Sequence, residues 1–154
     1  MTRELQPGPM PASGAARVLI AEDHAEMADV LRTYLEAVGY EVRVARDGVE
    51  AATLTAEFGP TVVVLDANMP GWNGWALLAA WKGVAPPPGV VSHGTPPAPV
   101  RVPAVVMLTG DDVFPAVASE ADAVLRKPAA LRTIASVVAQ QVAARVEGGV
   151  RDAR

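Results

Sequence analysis

Apolar residues come along this chain in two alternating patterns. Short, nearly solid runs mark buried strands: Arg17 to Ala21, Thr61 to Leu65 and Ala104 to Leu108. Glu41 to Ala45 alternates around Val42 and Val44 and predicts a half-covered strand, and Ala123 to Arg126 a further short one. Between the runs the spacing changes to that of a helix. Met27, Val30, Leu31, Tyr34, Leu35 and Val38 form one apolar stripe, closed by Gly39 at the C-cap. Asp47 can cap a second helix that runs to about Phe58 and stops at Gly59-Pro60. Asn73 or Gly74 opens a third, Trp75 to about Lys82. A short helical piece is expected around Val113 to Ser119. The last helix starts near Pro128, carries Leu131, Ile134, Val138, Val142 and roughly Val146, and ends at Gly148-Gly149. Strand and helix thus alternate five times. Such alternation predicts an α/β fold: a doubly wound, five-stranded parallel sheet with helices on both faces and right-handed crossovers.

Two segments fall outside this pattern. Residues 1–16 hold Pro7, Pro9, Pro11, Gly8 and Gly14 without periodicity, and read as a disordered leader. Residues 83–103 hold Pro86, Pro87, Pro88, Pro96, Pro97, Pro99 and Pro103, a density no regular element tolerates, and read as an insertion loop, partly polyproline II. The domain is expected over 17–147, with a disordered tail at 148–154.

Composition removes several classes of function. The 154 residues suffice for one domain, and 51% hydrophobic content supports a core. A net charge of −4 without a basic run argues against a nucleic-acid surface, and no DNA-binding domain is expected. The absence of cysteine excludes disulfides, thiolate catalysis and sulfur-based zinc sites, and two histidines are too few for most histidine-rich metal sites. The longest apolar runs are too short to span a bilayer, and nothing at the N-terminus resembles a signal peptide, so a cytoplasmic protein is expected.

In open α/β sheets, ligands bind beyond the carboxyl ends of the strands. Glu22 and Asp23 stand past the first strand, Asp66 past the third, Thr109 past the fourth and Lys127 past the fifth, followed by Pro128. Clustered carboxylates repel one another, and a hard divalent cation such as Mg²⁺ removes the conflict. A carboxylate held by metal and ammonium can attack phosphorus and become an acyl phosphate, with Lys127 neutralising the equatorial oxygens and Thr109 donating to the transferred group.

RVLIAED, VVVLDANMPGWNG, VVMLTG and LRKP, in this order, resemble the receiver domain of two-component response regulators over about residues 16–146. The resemblance implies a flavodoxin-like (βα)5 fold with strand order 2-1-3-4-5. It implies Asp66 as phosphoacceptor and Mg²⁺ held by Glu22, Asp23, Asp66 and the main-chain carbonyl of Asn68. Thr109 would be the switch hydroxyl and Lys127 the phosphate-pairing lysine. Such a domain is not a conventional enzyme; it catalyses its own phosphorylation and dephosphorylation. The implied donor is a phosphohistidine on a sensor histidine kinase or phosphotransfer protein. With no room left for an effector domain, output is expected through contact with a downstream protein.

Three features depart from the family pattern. Val124 stands where an aromatic usually moves with the hydroxyl, the stretch from Thr109 to Lys127 is about one helical turn short, and the proline-rich loop is an insertion. Singly, Asp23 or Asp66 reads equally well as a helix cap or turn residue, Lys127 as a solvated charge and Thr109 as a β-branched strand end. His24 reads as a solvent-facing first-turn residue ahead of a metal ligand, and His93 as exposed in the loop. Trp75 and Trp81 are expected to pack against the insertion, Trp72 to border the site, and Asp111-Asp112 to cap the short helix. A pseudo-receiver, the same fold used only for protein binding, is the alternative function, and the intact acid set counts against it. A phosphatase resembling the haloacid dehalogenase family would place its nucleophile first and a second aspartate two residues on; here the acidic pair comes first and position 68 is Asn.

Overall fold

The computed structural model describes residues 15–87, 94 and 96–152, with side chains described as far as 146. Its elements are β1 (Arg17–Ala21), α1 (Ala25–Val38), β2 (Glu41–Ala45), α2 (Gly48–Phe58), β3 (Val62–Asp66), α3 (Gly74–Lys82), β4 (Ala104–Thr109), a 3-10 helix (Ala116–Glu120), β5 (Ala123–Arg126) and α4 (Leu131–Asp152). The strands form one parallel sheet in the order β2-β1-β3-β4-β5. This is the doubly wound order the motifs imply.

The period of two along each central strand divides the core between the faces. Leu19, Val63, Leu65, Val105 and Met107 pack on one side with Ala51, Ala52 and Phe58 of α2 and most of α3. Val18, Ile20, Val62, Val64, Val106 and Leu108 pack on the other with Leu31 and Leu35 of α1 and Ile134 and Val138 of α4. Every residue of β3 and β4 is buried, as their solid apolar runs require. Each fully buried Val, Leu or Ile contributes about 1.5–3 kcal/mol.

Local chemistry sets the helix ends. Asp47 accepts the Glu50 amide at 2.7 Å and Asn73 accepts the Ala76 amide at 2.9 Å, which caps α2 and α3 as expected. Gly39 closes α1 with φ +122°, its amide bonded to Leu35 and Glu36 carbonyls.

Several expectations need correction. The stripe on α1 is wider than the surface that covers it: Leu31 and Leu35 are buried, but Val30 and Val38 are about half exposed and Tyr34 a third. With Asp29, Thr33, Ala37 and Leu131 of α4, Val30 and Tyr34 line an open groove of about 490 Å³. The fourth crossover carries only the 3-10 helix, starting at Ala116 rather than Val113, because too few residues remain between β4 and β5 for a full helix. Pro115 occupies its N-cap position without a side-chain bond, so Asp111 and Asp112 do not cap it; the 3-10 helix starts three residues beyond Val113, and Asp112 instead pairs with Arg126. The last helix continues through Gly148-Gly149 to Asp152, since glycine weakens a helix by only about 1 kcal/mol and permits, without forcing, a reversal. Trp75 and Trp81 belong to the main core beneath α3, where Val102, at the end of the insertion, also packs. Residues 1–14, 88–93, 95, 153 and 154, and with them most of the leader, the centre of the insertion and His93, lie outside the described residues.

Candidate functional site

Three strand ends share one local device. At β1 the Glu22 carboxylate accepts the His24 amide at 3.2 Å. At β3 the Asp66 carboxylate accepts the Asn68 amide at 3.2 Å. At β4 the Thr109 hydroxyl oxygen accepts the Asp111 amide at 3.1 Å. In each case a side chain bonds the amide two residues on, replacing the ladder partner that the strand loses as it ends. The bond also fixes the rotamer of the side chain that makes it. Glu22, Asp66 and Thr109 are all buried.

The fifth strand adds the cation. Lys127 is held by its own amide, which donates to the Thr109 carbonyl at 2.7 Å. Its ammonium lies 3.1 Å from Asp66 Oδ1 and 3.4 Å from Glu22 Oε1. The structure thus brings Glu22, Asp66 and Lys127 into direct contact. Asp23 stays at the exposed rim, and the Asn68 side chain points out while its amide holds Asp66. Thr109 faces the same strand-end surface from β4.

Electrostatics follow from this packing. Burial, and then the neighbouring charge of Glu22, push the Asp66 carboxyl up to about 6, against the pull of the Asn68 amide and Lys127. Burial also opposes the Glu22 carboxylate, but the His24 amide and Lys127 outweigh it and hold that group below its ordinary range. Burial acts against the Lys127 ammonium as well, and the two carboxylates override it, raising its pKa. Three carboxylates against one ammonium leave the ionised site with an excess of negative charge.

Among the described residues, one donor atom from each of Glu22, Asp23, His24 and Asp66 lies within 4.8 Å of the others. The donor set fits a small divalent cation: hard carboxylate oxygens, an open solvent side and a surplus of negative charge. His24 is largely exposed, as expected, at the N-cap position of α1, yet one ring nitrogen also meets the acids, Nδ1 lying 3.2 Å from Glu22 Oε2 and 3.6 Å from Asp23 Oδ1. The sequence signal was its position directly after two acids at a strand end, where the turn folds the third residue back over the first.

Gly74 is a second residue whose role is positional. It opens α3 with its Cα against the Asp66–Ala67 peptide, and its amide donates to the Ala67 carbonyl at 3.0 Å. Trp72 is half-buried and packs against the core beside α3, and its backbone meets the first turn of α2 at Gly48. Asp122, just before β5, makes a reciprocal pair with β4: its carboxylate accepts the Val105 amide at 2.8 Å and its amide donates to the Val105 carbonyl at 2.9 Å.

Comparison with known proteins agrees with this geometry. The response regulator receiver domain model matches residues 18–139. A protein-glutamate methylesterase/protein-glutamine glutaminase of Myxococcus xanthus is 40% identical over 122 residues, which is 76% of this chain and 31% of that protein. The DNA-binding response regulator MtrA of Mycobacterium tuberculosis is 38% identical over 58 residues, 38% of this chain and 25% of that protein. The chain therefore spans a third or less of the curated relatives it matches. Among solved structures, the receiver domain of a signal transduction histidine kinase from Syntrophus aciditrophicus superposes with a TM-score of 0.66 at 27% identity, covering 84% of this chain and 92% of that one. A CheY-like receiver domain from Methanospirillum hungatei shares the fold with a TM-score of 0.69 at 21% identity, covering 88% and 99%. A strand order of 2-1-3-4-5, an acidic pair past β1, an acid as the last residue of β3, a hydroxyl as the last residue of β4, a lysine past β5 and a matching family model over most of the length place this chain in the response regulator receiver domain family of two-component signalling.

Proposed function

We propose that Asp66 is the phosphoacceptor of a phosphorelay, taking a phosphoryl group from a phosphohistidine on a sensor histidine kinase or phosphotransfer protein. The observation that carries this reading is the contact of buried Asp66 with Lys127 at 3.1 Å beside a second buried acid, Glu22. Glu22, Asp23, Asp66 and the main-chain carbonyl of Asn68 are the groups that would hold Mg²⁺, which when bound neutralises charge on the phosphoryl oxygens.

The chain's own residues supply the rest. An Asp66 carboxylate oxygen forms the new bond to phosphorus as the donor's phosphorus–nitrogen bond breaks, its electron pair returning to the imidazole. The Asn68 amide fixes the carboxylate rotamer, so that the second oxygen is free to attack. Lys127 is charged and already beside Asp66, so it meets developing negative charge without reorganisation. The Thr109 oxygen is occupied as an acceptor by the Asp111 amide, which leaves its proton to donate to the transferred group. The acyl phosphate is later hydrolysed at the same site. The domain acts in the cytoplasm, and its signal leaves through contact with another protein.

The test is labelling with a small phosphodonor, acetyl phosphate, with and without Mg²⁺, followed by mapping of the modified residue. A Mg²⁺-dependent label on Asp66 that disappears in Asp66→Asn is the expected result. No label, or one that survives Asp66→Asn on an unrelated residue, overturns the assignment and favours a domain used for binding alone.

A further inference from the structure

We propose that His24 is a ligand of the cation at this site, giving it one nitrogen donor beside its oxygens and a preference for borderline transition ions over Mg²⁺. The inference rests on the cation site of the preceding section and adds a donor to it.

Geometry is the first argument. An octahedral shell of about 2.1 Å radius places cis donors about 3.0 Å apart and trans donors about 4.2 Å apart. His24 Nδ1 stands 3.2 Å from Glu22 Oε2 and 3.6 Å from Asp23 Oδ1, both near the cis spacing. One ring nitrogen of His24 and one Asp66 oxygen lie within 4.8 Å of each other.

The second argument is preorganisation. The His24 amide and its ring nitrogen both approach the same Glu22 oxygen, at 3.2 Å each. The main-chain bond holds the Glu22 carboxylate over the turn, and the ring contact adds to it, although the side chain is 76% exposed. Glu22, Asp23 and His24 are consecutive, so bringing the three donors together closes no loop beyond the turn already formed.

Donor chemistry is the third argument. A ring nitrogen that faces two carboxylate oxygens completes a mixed nitrogen and oxygen donor set. Imidazole adds little for Mg²⁺, which favours oxygen, and more for Co²⁺, Ni²⁺ or Zn²⁺.

Two measurements on the intact chain decide it. Calorimetric titration with Mg²⁺ and with Co²⁺ is compared between wild type and His24→Ala. His24 makes no side-chain cap bond and is exposed, so the variant keeps the fold. Co²⁺ affinity is expected to fall at least tenfold and Mg²⁺ affinity to change less than threefold. Pulsed electron paramagnetic resonance of the Mn²⁺-loaded protein should show a directly bonded nitrogen, absent in His24→Ala and altered by ¹⁵N-histidine. Equal loss for both ions, or a Mn²⁺ spectrum without nitrogen coupling, means that His24 is displaced and overturns the inference while leaving the carboxylate site standing. If none of the three ions binds, the cation site itself is refuted, and this ligand with it.

Discussion

Gly74→Ala should damage the domain through Asp66 while touching no charged group. A Cβ at Gly74 would lie 2.4 Å from the Asp66 carbonyl oxygen, 2.9 Å from Ala67 Cα and 3.0 Å from the Asp66 carbonyl carbon. Real Cβ atoms essentially never come within 3.0 Å of such a neighbour, so the contact at 2.4 Å forces a shift of about 0.6 Å or more. All three atoms are backbone at the end of a fully buried strand, and none can rotate away. The Gly74 amide also holds the Ala67 carbonyl at 3.0 Å, so the first turn of α3 cannot withdraw without losing that bond. Overpacking of this kind costs about 1–3 kcal/mol, offset by about 0.4–1 kcal/mol from the smaller unfolded-state entropy of alanine. The expected net loss is about 1–2 kcal/mol in urea unfolding followed by tryptophan fluorescence. Asp66 labelling by acetyl phosphate should slow as well, because the strand end that carries the carboxylate must move. Gly110→Ala is the control: nothing lies within 4 Å of its Cβ, and its stability should change by less than about 0.5 kcal/mol. A Gly74→Ala protein as stable as wild type would show that the β3–α3 junction yields freely and that this close approach does not hold Asp66 in place.

Three further outcomes are expected. In cation-free protein, Asp66 has a folded pKa near 6, above its unfolded value of 3.8, so the folded state binds the extra proton and stability is lost as pH rises from about 4 to 6. The stability of Asp66→Asn relative to wild type should therefore grow across that window by on the order of 3 kcal/mol and stay level above about pH 7; a flat difference in chemical denaturation across pH refutes the burial-and-repulsion account. Asp122→Ala removes the acceptor of the Val105 amide and should destabilise by about 1–2 kcal/mol, with faster hydrogen exchange at that amide; unchanged exchange would mean that water replaces the carboxylate at no cost. Beryllofluoride should alter hydrogen exchange chiefly at residues 110–115, which the Thr109 hydroxyl holds through the Asp111 amide, and Thr109→Val should remove the change; a response centred on β5 and α4 would place the switch elsewhere.

Much of this molecule was legible in the sequence because its strongest signals are periodic or local. Solid β-branched runs gave β3 and β4, and Asp47, Asn73 and Gly39 marked helix ends through bonds made within a few residues. The acids, hydroxyl and lysine past the strand ends were visible because parallel topology brings every strand's carboxyl end to one edge. Long-range packing was less visible. A stripe on α1 does not tell which of its residues α4 will reach, and Val30, Tyr34 and Val38 remained partly open. The inward turn of His24 depends on a rotamer chosen by two neighbouring carboxylates, and the Gly148-Gly149 pair allows more than one continuation.

β5 is four residues long, pairs only with β4 and has no fully buried residue, whereas β1 and β3 are paired on both sides. Native sheets open piecewise, and short edge strands open at far smaller free energies than central ones. The Lys127 ammonium thus follows a strand tethered on one side only, while Glu22 and Asp66 stand at the ends of strands tethered on both. Local opening at the sheet's margin would take the ammonium away from Asp66 without moving the acids, and the carboxyl, pushed up to about 6 even with Lys127 beside it, would then hold a proton more readily still.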